Sequence, residues 1–155
     1  MKKSGLFVLL TAGIAAVAVS AQPGPQTSNV YQQCQGCHQA NGAGIPGVFP
    51  PLAGHIPQVL AAKGGREYLI DVLLYGLAGE ISVNGQKYNG AMPAFAQLSD
   101  EQVAGVLNHI STQWGNDKAL SKDFKLFNAA EVKAKRATKL SPAQVLELRK
   151  KLGLK

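Results

Sequence analysis

Five consecutive residues, Cys34-Gln35-Gly36-Cys37-His38, constrain this chain more than anything else in it, because they hold both of its cysteines. A bridge between two cysteines three positions apart closes a tiny loop and removes little entropy from the unfolded chain, so a structural staple is a poor explanation. A thioredoxin-like redox pair wants a strand before it and a βαβ context, and no strand signal precedes Cys34. A structural zinc needs four ligands, usually in two close pairs. Only His55 and His109 remain to complete such a set, and they stand far apart in the sequence.

The N-terminus supplies the compartment. Lys2 and Lys3 precede an uncharged, mostly apolar run from Leu6 to Val19, then small residues end at Ala21 before "QPGPQ". That is the order of a secretory signal peptide over residues 1–21, cut before Gln22. The run is shorter than the ~20 residues that span a bilayer. Export allows disulfides and makes a nucleic-acid role improbable, despite a formal net charge of +7.

The charge is uneven. Residues 22–115 set Lys63, Arg66 and Lys87 against Glu67, Asp71, Glu80, Asp100 and Glu101, whereas residues 116–155 carry 11 basic residues against Asp117, Asp123, Glu131 and Glu147. A nearly neutral body therefore ends in a basic tail. Solvated helix faces are the default reading of such a tail, and contact with an anionic membrane surface is the secondary one.

The organisation reads as one domain: a flexible start over 22–28, a core over 29–115 and a helical extension over 116–155. Residues 38–55 are rich in Gly and Pro and read as an extended loop. Tyr68, Leu69, Val72, Leu73 and Leu77 are spaced for one helix face, with Gly76 or Gly79 as the stop. Asn84-Gly85 signals a small hairpin near 81–88, and "NGAMPAF", residues 89–95, reads as loop again. Ser99 with Gln102 forms a capping box for a helix whose apolar face is Val103, Val106, Leu107 and Ile110. Asn128 with Glu131, and Ser141 with Pro142 and Gln144, open two more helices.

In an exported, helical chain the remaining reading of CxxCH is covalent haem attachment. The two thiols add to the two vinyl groups, and the adjacent His38 falls under the iron as an axial ligand. A second ligand is then required. Outside the leader the chain has one methionine, Met92, in a polar, Gly/Pro-rich stretch that suits a ligand better than core filler. Histidine/methionine ligation is the arrangement that raises the potential in cytochromes c.

CQGCH at 34–38, "GIPGVFPPLAG" at 44–54, the hairpin, "YNGAMPAF" at 88–95 and the capped helix after Ser99 occur in the order found in class I cytochromes c. The resemblance spans residues 29–115. With the Lys-rich end included, the mature chain is similar to the soluble periplasmic cytochromes c of extreme thermophiles, which pass electrons from a bc-type complex to a ba3-type terminal cytochrome c oxidase. The resemblance implies an all-α class I fold around one covalent haem c, a C-terminal extension wrapping the body, and a respiratory electron carrier rather than an enzyme, acting as a monomer. It implies thioethers at Cys34 and Cys37, axial ligands His38 and Met92, and the Pro50 carbonyl as acceptor for the second ring nitrogen of His38. Leu52, Leu73, Tyr88 and Phe95 match apolar positions near the haem. Arg66, Tyr68 and Trp114 are candidate propionate neighbours, and His55 and His109 read as packing or surface histidines.

Saturated coordination leaves no open iron position for dioxygen or peroxide, which points to one-electron transfer. The segments 34–57 and 84–97 hold one formal charge, Lys87, so the expected docking patch is apolar and only weakly steered. The tail is expected to add stability by burying Phe124, Leu126, Phe127, Val132, Leu140, Val145, Leu146 and Leu148. A peroxidase or gas sensor, with Met92 unbound, is one rival. A cytochrome subunit of a larger dehydrogenase or oxidase complex is the other.

Overall fold

The structure, a computed structural model, describes residues 30–154. The expected leader and most of the N-terminal segment lie outside the described residues. Helical residues 30–31 lead through a turn into a single helical turn, α1 (Gln35–His38). The long loop from residue 39 follows, carrying an isolated bridge between Ile45 and Phe49. Then come α2 (Ile56–Ala61), α3 (Gly65–Tyr75), the antiparallel strands β1 (Leu77–Val83) and β2 (Gln86–Met92), and α4 (Asp100–Thr112). A short 3-10 turn (Asn116–Ala119), α5 (Ala129–Arg136) and α6 (Pro142–Lys151) complete the chain.

The caps fall where the residues demand. Ser99, Asn128 and Ser141 each accept from the N–H three residues on, and the side chains of Gln102, Glu131 and Gln144 return the bond. Each box satisfies two amide donors that the first helical turn cannot. Asn84 and Gly85 both sit at positive φ, 52° and 79°, as a tight hairpin turn requires.

The hairpin is longer than expected. It runs from Leu77 to Met92, so residues 89–92 complete β2 instead of forming loop, and Leu77 opens β1 instead of ending a helix face. Gly76 is the cause. It caps α3 at φ 76°, and a Cβ there would stand 2.5 Å from the Met92 carbonyl oxygen. Only glycine lets these two chain segments approach so closely.

The second difference is α3 itself. It buries Tyr68, Leu69, Ile70, Leu73 and Leu74, and also Asp71, which is more than one face. The extra burial comes from the C-terminal elements, since α5 and α6 both pack against α3, α5 against α4 and α6 against β1. Phe127, Val132 and Val145 are buried among the core side chains, and Phe124, Leu140, Leu146 and Leu148 are partly so. Leu126 departs from expectation at 61% exposed. Arg66 occupies the space beneath it: the guanidinium donates to the Lys125 and Leu126 carbonyls and lies 3.9 Å from the centre of the Phe127 ring.

Candidate functional site

Helical spacing brings the motif to one side. Residues three and four apart on a turn are neighbours, so Cys34, Cys37 and His38 face a common cleft of about 130 Å³. Cys37 is exposed, Cys34 half-buried and His38 almost fully buried. Burial, with Cys37 beside it, pushes the Cys34 thiol up to about 11. Reactive redox cysteines have depressed values, so this thiol is not arranged for disulfide exchange.

His38 is oriented by its loop. Its Nδ1 lies 2.9 Å from the Pro50 carbonyl oxygen. A carbonyl only accepts, so Nδ1 carries the proton and the Nε2 lone pair is left for a metal. Burial lowers the His38 pKa, with the Pro50 bond opposing the shift, which favours the neutral ring that a metal needs. Gly44 makes room for that acceptor: a Cβ there would stand 2.3 Å from the Phe49 oxygen and 2.6 Å from the Pro50 oxygen.

The hairpin forms the other wall. Its register pairs Leu77 with Met92, Gly79 with Gly90 and Ile81 with Tyr88, and all six line the cleft. The central glycine pair leaves that wall without side chains at its middle, and a Cβ on Gly90 would meet nothing within 4 Å. Phe95 closes the rim, its N–H donating to the Leu73 carbonyl at 2.7 Å. Two thiols, an imidazole with a free Nε2, a thioether and apolar walls are the donor set and setting that a covalent haem requires.

Not every expected residue lines the cleft. Cys34, Cys37, His38, Pro50, Tyr88, Met92 and Phe95 do, whereas Leu52 and Leu73 pack in the apolar cluster beside it. Arg66, Tyr68 and Trp114 are off the lining, and each is committed elsewhere. Arg66 pairs with Glu131, Tyr68 is buried under Arg149, and the Trp114 Nε1–H donates to the Ala40 carbonyl. His109 packs tilted against Tyr31 and edge-on to Trp114, at 4.8 and 5.7 Å between centroids. His55 is buried beside Gln58, and burial first, then the nearby Arg149, holds it down at about 4.

Sequence reasoning missed Gly44 and Gly76 as makers of the site, although both stood in view as loop and helix-stop residues. It also missed Asn116, whose side-chain amide bonds to the Gly54 N–H and the Leu52 carbonyl at the loop's end and which no local pattern marks. A larger cleft of about 470 Å³ lies among Pro57, Leu60, Arg66 and Phe124. It contains no thiol, imidazole or thioether, so the smaller cleft is the site.

The Cytochrome c family profile matches residues 26–114. A cytochrome c-552 of Thermus thermophilus is 57% identical over 155 residues, the whole of both chains. A second Thermus thermophilus cytochrome c-552 is 65% identical over 128 residues, 83% of this chain and 97% of that one. The cytochrome c subunit of a quinone-dependent alcohol dehydrogenase from Gluconacetobacter polyoxogenes is 35% identical over 104 residues, 66% of this chain but 21% of that subunit. The chain belongs to the cytochrome c family, whose members carry covalently attached haem c and its iron, and it is an electron-transfer cytochrome.

Proposed function

We propose that the protein is a soluble periplasmic monohaem carrier, taking single electrons from a quinol-oxidising bc-type complex and delivering them to a terminal cytochrome c oxidase. In this reading Cys34 and Cys37 would hold the haem covalently as thioethers. His38 Nε2 and the Met92 sulfur would hold the iron, and Leu52, Leu73, Tyr88 and Phe95 would provide apolar packing. The bound haem supplies a one-electron iron couple.

One observation carries the proposal: His38, fixed by Pro50 at 2.9 Å, and Met92 stand on separate walls of one cleft. The chain's own work is then positional. The Pro50 carbonyl fixes the imidazole plane and tautomer. The hairpin carries Met92, and Leu77, Ile81, Tyr88 and Phe95 keep water out. With His38 and Met92 both held in place by the fold, the chain would keep its side chains where they are as the charge changes.

Partners would dock at the cleft's edge, where Val48 is 53% exposed, with Ile45, 38% exposed, bridged to the lining residue Phe49 in the same loop. Lys87, the one formal charge of segments 34–57 and 84–97, pairs with Glu80 of β1 at 2.9 Å. Residues 1–21 are the export signal, 29–115 the carrier core, and 116–155 a clasp that stabilises it as a monomer. Among the described residues no helix is long and apolar enough to cross a membrane. End-to-end similarity to cytochrome c-552 favours a free carrier over a subunit of the alcohol dehydrogenase kind, which aligns only in part.

The test is an optical spectrum of the exported protein, oxidised and reduced, with carbon monoxide added. Sharp low-spin bands, a sulfur-to-iron charge-transfer band when oxidised and indifference to carbon monoxide are expected. A high-spin spectrum that shifts with carbon monoxide would leave Met92 unbound and hand the protein to the catalytic or sensor reading.

A further inference from the structure

We infer that Asn116 is a positioning residue for the axial histidine: it fixes the end of the loop whose Pro50 carbonyl orients His38. The inference rests on the reading of His38 as an iron ligand. Asn116 is 1% exposed, and its amide makes three hydrogen bonds. Oδ1 accepts from the Gly54 N–H at 2.7 Å, while Nδ2 donates to the Leu52 carbonyl at 3.2 Å and the Ile110 carbonyl at 2.7 Å. Two of these partners flank Ala53 at the loop's end, and the third belongs to α4. One side chain therefore ties the loop to a rigid helix.

The tie reaches Pro50 through a short, stiff path. Leu52 follows Pro50 and Pro51, whose rings fix φ near −65°. The N–H groups of Leu52 and Ala53 donate to the Gly42 carbonyl at 2.7 and 3.0 Å, and the Gly44 N–H donates to the His38 carbonyl at 3.0 Å. The loop's end is thus locked to its beginning and its beginning to His38, so displacing Leu52 displaces the acceptor.

The backbone after α4 is shaped for this contact. Trp114 sits at φ 58° and Gly115 at φ 83°. A bulky residue in the left-handed region is uncommon and persists only where its surroundings hold it. Here the turn sends Trp114 to Ala40 at the loop's start, with its Nε1–H 3.1 Å from that carbonyl, and Asn116 to Leu52 and Gly54 at its end. Asn116 lies two residues beyond the segment the family profile matches, so this tether belongs to the extension.

The consequence is electronic. A firm Nδ1–H···O=C bond raises the electron density at Nε2, and stronger donation favours oxidised iron. Loosening the loop should therefore raise the reduction potential.

The experiment uses the full-length, haem-loaded protein with Asn116→Ala and the milder Asn116→Ser, and Val132→Ala, a buried residue of α5, as a stability control. The expected result is a potential that rises in Asn116→Ala, less so in Asn116→Ser, and stays put in Val132→Ala. Hydrogen exchange at the Gly54 amide should quicken about tenfold on loss of one net hydrogen bond. An unchanged or lower potential in both Asn116 variants, with only the melting temperature reduced, overturns the inference and makes Asn116 purely structural. Asn116→Ser answers the question should Asn116→Ala fail to fold. A high-spin, carbon monoxide-sensitive spectrum in the unsubstituted protein would instead overturn the ligand reading, and this inference with it.

Discussion

Lys135 of α5 places its Nζ 2.8 Å from Oδ2 of Asp71 on α3, a carboxylate with no exposed surface. The described residues offer no other donor to either oxygen. Burial pushes the Asp71 carboxyl above its ordinary 3.8, with Lys135 opposing that shift and Glu67 adding to it. The folded state therefore takes up a proton at a higher pH than the unfolded state does. Stability from this group rises as pH falls through the raised value towards 3.8, and is constant below it. Asp71→Asn abolishes that gain, so the variant should lose ground to the parent across the window. The raised value means that the fold holds the neutral carboxyl better than the carboxylate, and Lys135 can turn its ammonium to water, so the neutral amide should cost little at neutral pH. Thermal melts from neutral pH down to about pH 4 check this; parallel curves would refute it.

Arg66 and Glu131 make the opposite contribution. The guanidinium grips the carboxylate through two bonds, 2.5 and 2.9 Å, and holds Glu131 below its usual 4.5. Here the ionised form stabilises the fold above that value, and the benefit is lost as pH falls through the depressed pKa. Glu131→Gln should cost about 1 kcal/mol at neutral pH, a figure discounted for its partial exposure, and nothing in strong acid. Equal losses at both pH values would show that the cap, not the charge, matters.

Deleting residues 118–155 should lower the melting temperature far more than either substitution. Phe127, Val132 and Val145 are each at most 4% exposed. Each contributes roughly 1.5–3 kcal/mol by burial, as upper bounds, and their removal also bares α3. Arg136 would go too, with its pairing to Asp100 and its bonds to the Ala96 and Leu98 carbonyls. A truncated protein with an unchanged melting temperature would end the clasp reading.

The legible parts were local. Ser99-x-x-Gln102 and Ser141-Pro142 dictate helix starts because a cap is satisfied within four residues. Asn84-Gly85 dictates a hairpin because both residues tolerate positive φ. Cys34, Cys37 and His38 were legible because a helical turn alone brings them together. Met92 was legible as the one methionine outside the leader, set in a polar Gly/Pro-rich stretch, whereas Pro50 was reached through family resemblance, since nothing near it in sequence says what it faces. Illegible features depended on distant partners. Nothing local marks Asp71 for burial under α5, or Asn116 for contact with Leu52 and Gly54, which meet it from more than 60 positions away. The hairpin's true length was hidden because Gly76 acts by admitting Met92, a contact that composition cannot reveal.

Met92→Ala tests the second ligand directly. Loss of the thioether should convert the low-spin spectrum to high-spin, admit carbon monoxide and lower the reduction potential, because methionine ligation is what raises it. Folding should survive, since Met92 ends a strand whose partner bonds are made by the backbone. A low-spin, carbon monoxide-inert variant would move the sixth ligand elsewhere.

The surface at the cleft's mouth makes a prediction about encounter. Val48 presents apolar area there, Ile45 adds more in the same loop, and Glu80 neutralises Lys87. The basic residues lie instead in the extension. At 0.1 M salt, charges more than about 10 Å apart are largely screened, so steering that depended on them would collapse as salt rises. With an apolar contact, the rate of electron transfer to a terminal oxidase should fall less than about threefold over a tenfold rise in salt. Stopped-flow oxidation across that range decides it. A steep fall that disappears when residues 118–155 are removed would show that the tail's lysines guide docking. A steep fall that survives the deletion would place the guiding charge in the body, with Lys87 the first residue to replace.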